Sequence, residues 1–195
     1  MIDAVITMDY LRGLDTQPRV HGNGFIQLDL MNGKRLHFWG HPDIPRQVRA
    51  TPIHDHTFGF KSWCLRGRLV NIVYELLGNG MEYRIYRVRN RDGEDTELVP
   101  TEHRVGLLPV KVEVIVSPDW CVSMPSSYSL NSFCFHETFA PEPTITCMEK
   151  THKREGATPH VLSPTGIAPD NDFNRHSHDP KLLWRIIEEM MDEGS

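Results

Sequence analysis

The chain has 195 residues, of which 39% are hydrophobic and 24% charged, with a formal net charge of -5. That length suits one domain with a proper core, and no apolar run approaches the roughly 20 residues a membrane span needs. The negative balance argues against a nucleic-acid partner, and the N-terminal stretch "MIDAVITMDYLRGLD" lacks a basic region followed by an apolar one, so a cytoplasmic protein without a membrane partner is expected.

Residues 3–13 predict a short helix, with Ile6, Tyr10 and Leu11 at helical spacing. From residue 24 the pattern becomes β. "GFIQLDL" and "KRLHFWG" flank an Asn-Gly dipeptide, a strong hairpin signal. The runs "RQVRATPIHDH", "FGFKSWCLRG", "RLVNIVYELL", "MEYRIYRVRN", "TELVPTEHRVGLLP", "VKVEVIVS", "SFCFHETF" and "TITCMEKT" then read as strands, most of them separated by turn signals. Many short strands without long intervening helices predict an all-β barrel or sandwich rather than a parallel α/β sheet. Residues 152–180 are rich in Pro, Gly, His and Asn and read as an extended segment over the barrel. A C-terminal helix follows, with Asp179 as N-cap, Pro180 in the first turn, and Leu183, Ile186, Ile187 and Met190 as its apolar stripe. The expected organisation is a single domain over residues 1–195, with the barrel core at about 22–151 and an extension and helix over 152–195.

Cys64, Cys121, Cys134 and Cys147 lie in apolar, strand-like segments without a CxxC pair, and are expected to pack as reduced thiols. Arg87, Arg89 and Arg91 alternate along one strand and read as a solvated face.

The segment "TPIHDHTFGFKSWCLRGRLVN", residues 51–71, carries the chemistry. Side chains at i and i+2 share a strand face, so His54 and His56 present two imidazoles to one spot, with Phe58 and Phe60 in the same phase. A pair satisfied by carbonyls or water is the plain alternative to a metal site. "RHSHDP" offers a second HxH, His176 and His178, in a polar loop without strand support. Asp170, Asp172 and Asn174 have calcium-loop spacing but lack its Gly and distant Glu. His21, His37, His41, His103, His152 and His160 show no converging spacing and are expected at the surface or in hydrogen bonds.

"HDHTFGFKSWCLRG" resembles the first motif of the cupin superfamily: two histidines one residue apart, then a Glu, then a Gly. His54, His56 and Gly67 stand at matching positions, Phe60 occupies the place of the Glu, and Val48 that of an earlier Gly. The run "YSLNSFCFHETF" followed by "PEPTITCMEK" is similar to the second motif, with His136 as the third ligand. There Asn131, Phe133 and Ala140 replace the usual Pro, Gly and Asn. The absent Glu is shared with cysteine-dioxygenase-like cupins and with uncharacterised cupin-like proteins, and the resemblance covers roughly residues 35–151.

The resemblance implies an all-β cupin double-stranded β-helix, a jelly-roll barrel, with a short N-terminal helix and a C-terminal helix. It implies one divalent transition metal on His54, His56 and His136, with Fe(II) favoured and Ni(II), Mn(II) or Zn(II) as alternatives. Three neutral imidazoles leave open metal positions and add no negative charge, which suits an anionic or thiolate ligand. The implied function is an Fe(II)-dependent dioxygenase acting on a small polar substrate. A non-catalytic binding protein is one alternative; an isomerase or hydrolase with Glu137 or Glu102 as base is another. Tyr128, Glu137 and Lys61 are the candidate catalytic groups, and Arg66, Tyr83, Phe58 and Phe60 the candidate substrate contacts. The resemblance also implies a homodimer.

Overall fold

The computed structural model describes residues 6–45, 52–78, 82–91, 95–117, 126–169, 173–174 and 177–192. In chain order these form α1 (Met8–Arg12), β1 (Arg19–His21), β2 (Phe25–Asp29), a 3₁₀ turn at Met31–Gly33 and β3 (Lys34–Trp39). Then come β4 (Phe58–Arg66), β5 (Arg68–Leu77), β6 (Tyr83–Arg91), β7 (Asp95–Val116) and β8 (Ser127–Leu130). The rest is β9 (Phe135–Phe139), β10 (Thr144–Lys153), β11 (His160–Pro164), β12 (Phe173–Asn174) and α2 (Pro180–Asp192). One antiparallel sheet runs β1-β2-β3-β10-β4-β8, and the second runs β11-β6-β7-β5-β9 with β12 beside β7. The fold is all-β, two antiparallel sheets with two helices, consistent with a jelly-roll sandwich.

Alternation along the strands sorts side chains into layers. On β3, Leu36 and Phe38 face the helices, where they join Leu11, Ile26, Leu28, Ile145 and the α2 stripe Leu183, Ile186, Ile187 and Met190. Trp39 faces the other way, into a layer between the sheets with Phe25, Phe60, Leu69, Ile115, Tyr128, Leu130 and Met148. The start of α2 is built as its sequence predicts, with the Lys181 N–H donating to Asp179 Oδ1 at 2.9 Å. At its other end the Arg66 guanidinium donates to the Met190 carbonyl, a cation placed where the helix dipole is negative.

The expected hairpin is present, with Ile26 opposite Phe38 and Asp29 opposite Arg35. Its Asn-Gly pair lies in the 3₁₀ turn rather than in a two-residue loop, and Gly33 supplies the positive φ. A larger revision concerns the two strands expected over residues 96–117. They are one strand, β7, whose first half pairs with β6 and whose second half pairs with β5. Pro100 and Pro109 do not interrupt it because each sits at a register shift, opposite Tyr86 and Tyr74 respectively. A residue without an N–H is tolerated where the ladder already slips. The strand β1, and β8 within "SYSL", are additions to the expected set. The candidate strand "RQVRATPIHDH" lies largely outside the described residues, and its described end joins a sheet only through bridges at His54.

The polar 152–180 segment also contributes more than a surface strap. β11 pairs with β6 from His160↔Arg87 to Pro164↔Tyr83. Ile53 and Asp55 bond to this strand, and His54 to β9, so the second sheet curls back on itself around Ile53, Phe135 and Leu162. Cys64 and Cys147 are buried and Cys134 half-buried, all three as free thiols, whereas Cys121 lies outside the described residues. Burial pushes the Cys64 and Cys147 thiols up to about 11, the state of packed rather than reactive sulfur. Arg87 and Arg89 are exposed, as a solvated stripe requires.

Gly67 is the corner that turns the chain from the first sheet into the second. Its φ is +76°, and a Cβ there would lie 2.5 Å from the Pro143 carbonyl oxygen and 2.6 Å from Thr144 Oγ1. Gly67→Ala is therefore expected to destabilise the fold by about 2 kcal/mol or more, since the strained φ and the backbone clash add. Thermal unfolding should show a drop of roughly 4–8 °C.

Candidate metal centre

His54 and His56 lie just ahead of β4, in an extended stretch held by backbone pairing. The His54 N–H donates to the His136 carbonyl at 3.0 Å, and the His136 N–H returns the bond at 2.9 Å. The Phe133 N–H, at the one described non-glycine residue with positive φ, donates to the His56 carbonyl at 2.8 Å. This pairing puts the HxH beside β9 and aims three imidazoles at one point. Their ring centroids are 4.8 Å apart for His54–His56, 4.4 Å for His54–His136 and 5.2 Å for His56–His136. One nitrogen from each ring falls in a set whose members all lie within 4.8 Å of one another.

Two of the rings are oriented by carbonyls. His54 Nδ1 is 2.7 Å from the Pro52 oxygen, and His136 Nδ1 is 2.9 Å from the Cys134 oxygen. A carbonyl can only accept, so each Nδ1 carries the hydrogen and each Nε2 presents its lone pair. Between the two histidines, Asp55 points the opposite way and is buried, accepting from the His160 N–H at 2.6 Å and from its Nδ1 at 3.0 Å. That clamp fixes the HxH segment to β11.

Burial disfavours the imidazolium in all three rings. His54 is lowered from the usual histidine range, His56 well below it by burial and then by the neighbouring histidines, and His136 down to about 3. Three neutral imidazoles, two of them with Nδ1 bonded to a carbonyl and Nε2 left to donate its lone pair, form a donor set that fits a divalent transition ion. Among the described residues no carboxylate belongs to this cluster.

The aromatic surroundings follow the strand phase. Phe58 stacks on His56 at 4.8 Å, and Phe60 meets His56 at 5.6 Å and His136 at 5.8 Å. Phe60, in the place of the motif's Glu, thus packs against two of the three rings. Tyr128 reaches the cluster through Phe60, at 5.8 Å, opposite Ser62 of β4 and with its hydroxyl near Thr138.

Other candidates are placed away from the histidines, Lys61 and Glu137 by strand parity and Arg66 beyond a register shift in β4. Lys61 follows Phe60, so it is exposed on the opposite face, 5.2 Å from the Trp63 ring centre. Glu137 follows His136 and accepts a hydrogen bond from the Tyr74 hydroxyl on the far side of the sheet. Tyr83 packs there too, against the Ile53, Phe135 and Leu162 cluster. Arg66 is engaged with the end of α2. None of the four faces the triad.

Several neighbours were not legible from spacing. His37 is buried against Phe25, with ring centres 4.7 Å apart, and is lowered to about 3 chiefly by burial; it is no surface residue. His21 stacks on Phe25 at 4.4 Å, and both histidines add electrostatic pressure against protonating His56. Asn23 Nδ2 lies 3.3 and 3.4 Å from the two ring nitrogens of His54. The rival HxH falls partly outside the described residues at His176, as do Asp170 and Asp172 of the calcium-like run. A second cluster, His41, Asp43 and Glu189, is already served by a cation, because Arg185 pairs with Asp43 at 3.3 Å and with Glu189 at 3.8 Å.

No family model and no curated protein matches the chain. Among solved structures it is similar to the hydroxypropylphosphonic acid epoxidase of S. wedmorenis, at 9% identity and a TM-score of 0.30. The match covers 75% of this chain and 58% of that one, so the chain spans somewhat more than half of that enzyme's length. A likeness of this degree assigns no chemistry. The two-sheet fold and the triad, taken by themselves, fit a cupin with a three-histidine site.

Two outcomes follow. For the metal-free protein, His37 and His136 take up protons in the unfolded chain near pH 6.5 but in the folded one only near pH 3. The unfolded state therefore binds more protons between these values. Stability should be full above pH 6.5 and fall steadily as pH drops toward 3, with a shallower slope in His37→Phe, as melts at pH 7.5 and 4.5 will show. Asp55→Ala frees the HxH segment from β11 and should weaken metal binding about 10–100-fold in a chelator titration, with the three ligands still present.

Proposed function

We propose that the protein is a cupin-type mononuclear metalloenzyme in which His54, His56 and His136 hold one divalent transition metal, Fe(II) being favoured. The observation that carries this reading is the convergence of three neutral imidazoles on one point, two of them oriented by carbonyls. A triad on one side of an octahedral ion leaves positions open for substrate and dioxygen, and iron with such a face supplies oxidative chemistry.

The finer assignment is an oxidation of a small polar substrate by dioxygen, of the dioxygenase kind. Neutral ligands leave the full charge of the ion to attract a thiolate or carboxylate. Phe58 and Phe60 line the approach with apolar surface, which keeps bulk water from the reacting groups and strengthens every electrostatic contact inside. Hydrolysis or isomerisation is less well served. Such reactions want a base within hydrogen-bond reach of the substrate, and Glu137 is turned away toward Tyr74.

A cytoplasmic location and pairing of two copies remain parts of this proposal. No helix among the described residues is long and apolar enough to cross a membrane.

The test is elemental analysis of purified wild type beside His136→Ala, followed by oxygen-electrode assays of the iron-loaded protein with small thiols and carboxylates. About one equivalent of iron, lost in the variant, with iron-dependent oxygen uptake is the expected result. Nickel or zinc, with turnover that needs no oxygen, would shift the reading to hydrolase or isomerase chemistry. Absence of any metal after reconstitution would sink it.

A further inference from the structure

Beyond the triad, the space between the sheets contains a second set of polar groups that the metal chemistry does not use. Thr138 sits two residues after His136 and so shares its face of β9, one pleat repeat or about 7 Å away. Its hydroxyl donates to Asn71 Oδ1 at 2.9 Å, directly across the β5–β9 pair. On the other side of β5, Asn71 is opposite Glu113 of β7, so the two side chains share that inner face. Tyr128 closes the group from the first sheet, opposite Ser62 of β4 and with its hydroxyl near Thr138.

Asn71 is fully buried, yet its Nδ2 has no partner among the described residues, and neither does the buried Glu113 Oε2. The other oxygen of Glu113 is held by Lys111 Nζ at 2.7 Å. Thr138 engages the oxygen of the Asn71 amide, which leaves its NH₂ as the open end. The inner face thus has one unused donor beside one unused acceptor, in a setting where unpaired polar atoms are costly.

We propose that Asn71 and Glu113 form a distal subsite that binds a hydroxyl group of the substrate, the Asn71 amide donating to its oxygen and Glu113 accepting its hydrogen. Only a group that both accepts and donates satisfies the pair. A carboxylate could not donate to Glu113, an ammonium could not accept from Asn71, and an alkyl group would leave both unpaired. The proposal rests on the metal-centre reading, which assigns the opposite end of the substrate to the triad. One pleat along β9 and two strand spacings of about 4.8 Å across place the subsite roughly 10 Å from His136. The substrate class is then a small hydroxylated acid or thiol whose metal-binding head and hydroxyl are separated by about four to six bonds.

The probes are 4-hydroxybutanoate, 5-hydroxypentanoate and 6-hydroxyhexanoate, each against the acid without the hydroxyl. Affinities are measured by calorimetry on metal-loaded protein of known metal content. Wild type should bind at least one hydroxy acid about tenfold tighter than its partner, the discrimination expected of a buried hydrogen-bonding pair. That preference should vanish in Asn71→Leu and in Glu113→Met with metal content at the wild-type level; because the first also removes the acceptor of the Thr138 hydroxyl and the second the partner of Lys111, folding of both is checked by melting. Equal affinity for both members of every pair in metal-loaded wild type would overturn the subsite and leave the metal reading intact. A hydroxyl preference that persists in both variants would mean that the hydroxyl binds elsewhere, and would also overturn it. Failure to load metal, with a hydroxyl preference still present, would count against the metal reading alone.

Discussion

The reciprocal backbone pairing of His54 with His136 is the contact on which the rest of the arrangement depends. Two hydrogen bonds of 3.0 and 2.9 Å join a short extended stretch to a strand that lies eighty residues later in the chain. Because the pairing is antiparallel and direct, the two side chains stand on the same face, and His56 follows two residues on. Bonds from Asp55 to His160 and from Leu162 to Ile53 extend the same stretch into β11. One segment therefore orients the triad and curls the second sheet around its inner apolar cluster. Slippage by one residue would turn His54 and His56 away and bring Asp55 inward.

This placement has an energetic cost that the local chemistry answers. Buried imidazoles lose hydration, and each of these rings is displaced toward its neutral form. Carbonyls of Pro52 and Cys134 take the Nδ1 hydrogens of two of them, which leaves their Nε2 lone pairs as the groups that need a partner, with only Asn23 Nδ2 near that of His54 at 3.4 Å among the described residues. A cation on those lone pairs removes the deficit. Replacing the motif's Glu by Phe60 acts in the same direction: the site contains no ligand charge, and the ring fills space against His56 and His136. A carboxylate at that position would lower the net charge of the bound centre and compete for an open coordination position.

Much of this was legible from the sequence, and the reasons are physical. The strand phase from His54 to Phe60 has period two, and the structure keeps it although β4 begins only at Phe58. Asp179 and Pro180 start α2 because both act within one turn. Phase also explains the misses, since Lys61 and Glu137 sit one residue from inward positions and so face outward. What local pattern could not show was pairing at long range. β11 is polar and Pro-rich nearby, and its order comes from β6 and from Asp55, about a hundred residues earlier. β7 was divided after Pro109 because the tolerance of that proline depends on a register shift against the partner strand. His37 was expected at the surface or in a hydrogen bond, since its burial depends on Phe25 from the neighbouring strand.

Asn71 carried a signal that local reading passed over. It is the polar residue in "RLVNIV", at the same parity as Leu69 and Val73, and inward parity in an apolar strand requires a partner. Thr138 supplies one, and the opposing strand brings Glu113 rather than another hydrophobe. The space between the sheets is thus divided along its length. Apolar side chains such as Leu69, Ile115 and Met148 fix the sheets together, whereas two polar stations are anchored on paired strands, the triad through His136 of β9 and the second group through Asn71 of β5. Sites on paired strands are held by the ladder itself, so their separation is set by pleat and strand spacing rather than by loop conformation. That rigidity suits a reaction in which the length of the substrate must match a fixed distance between its anchor and the metal.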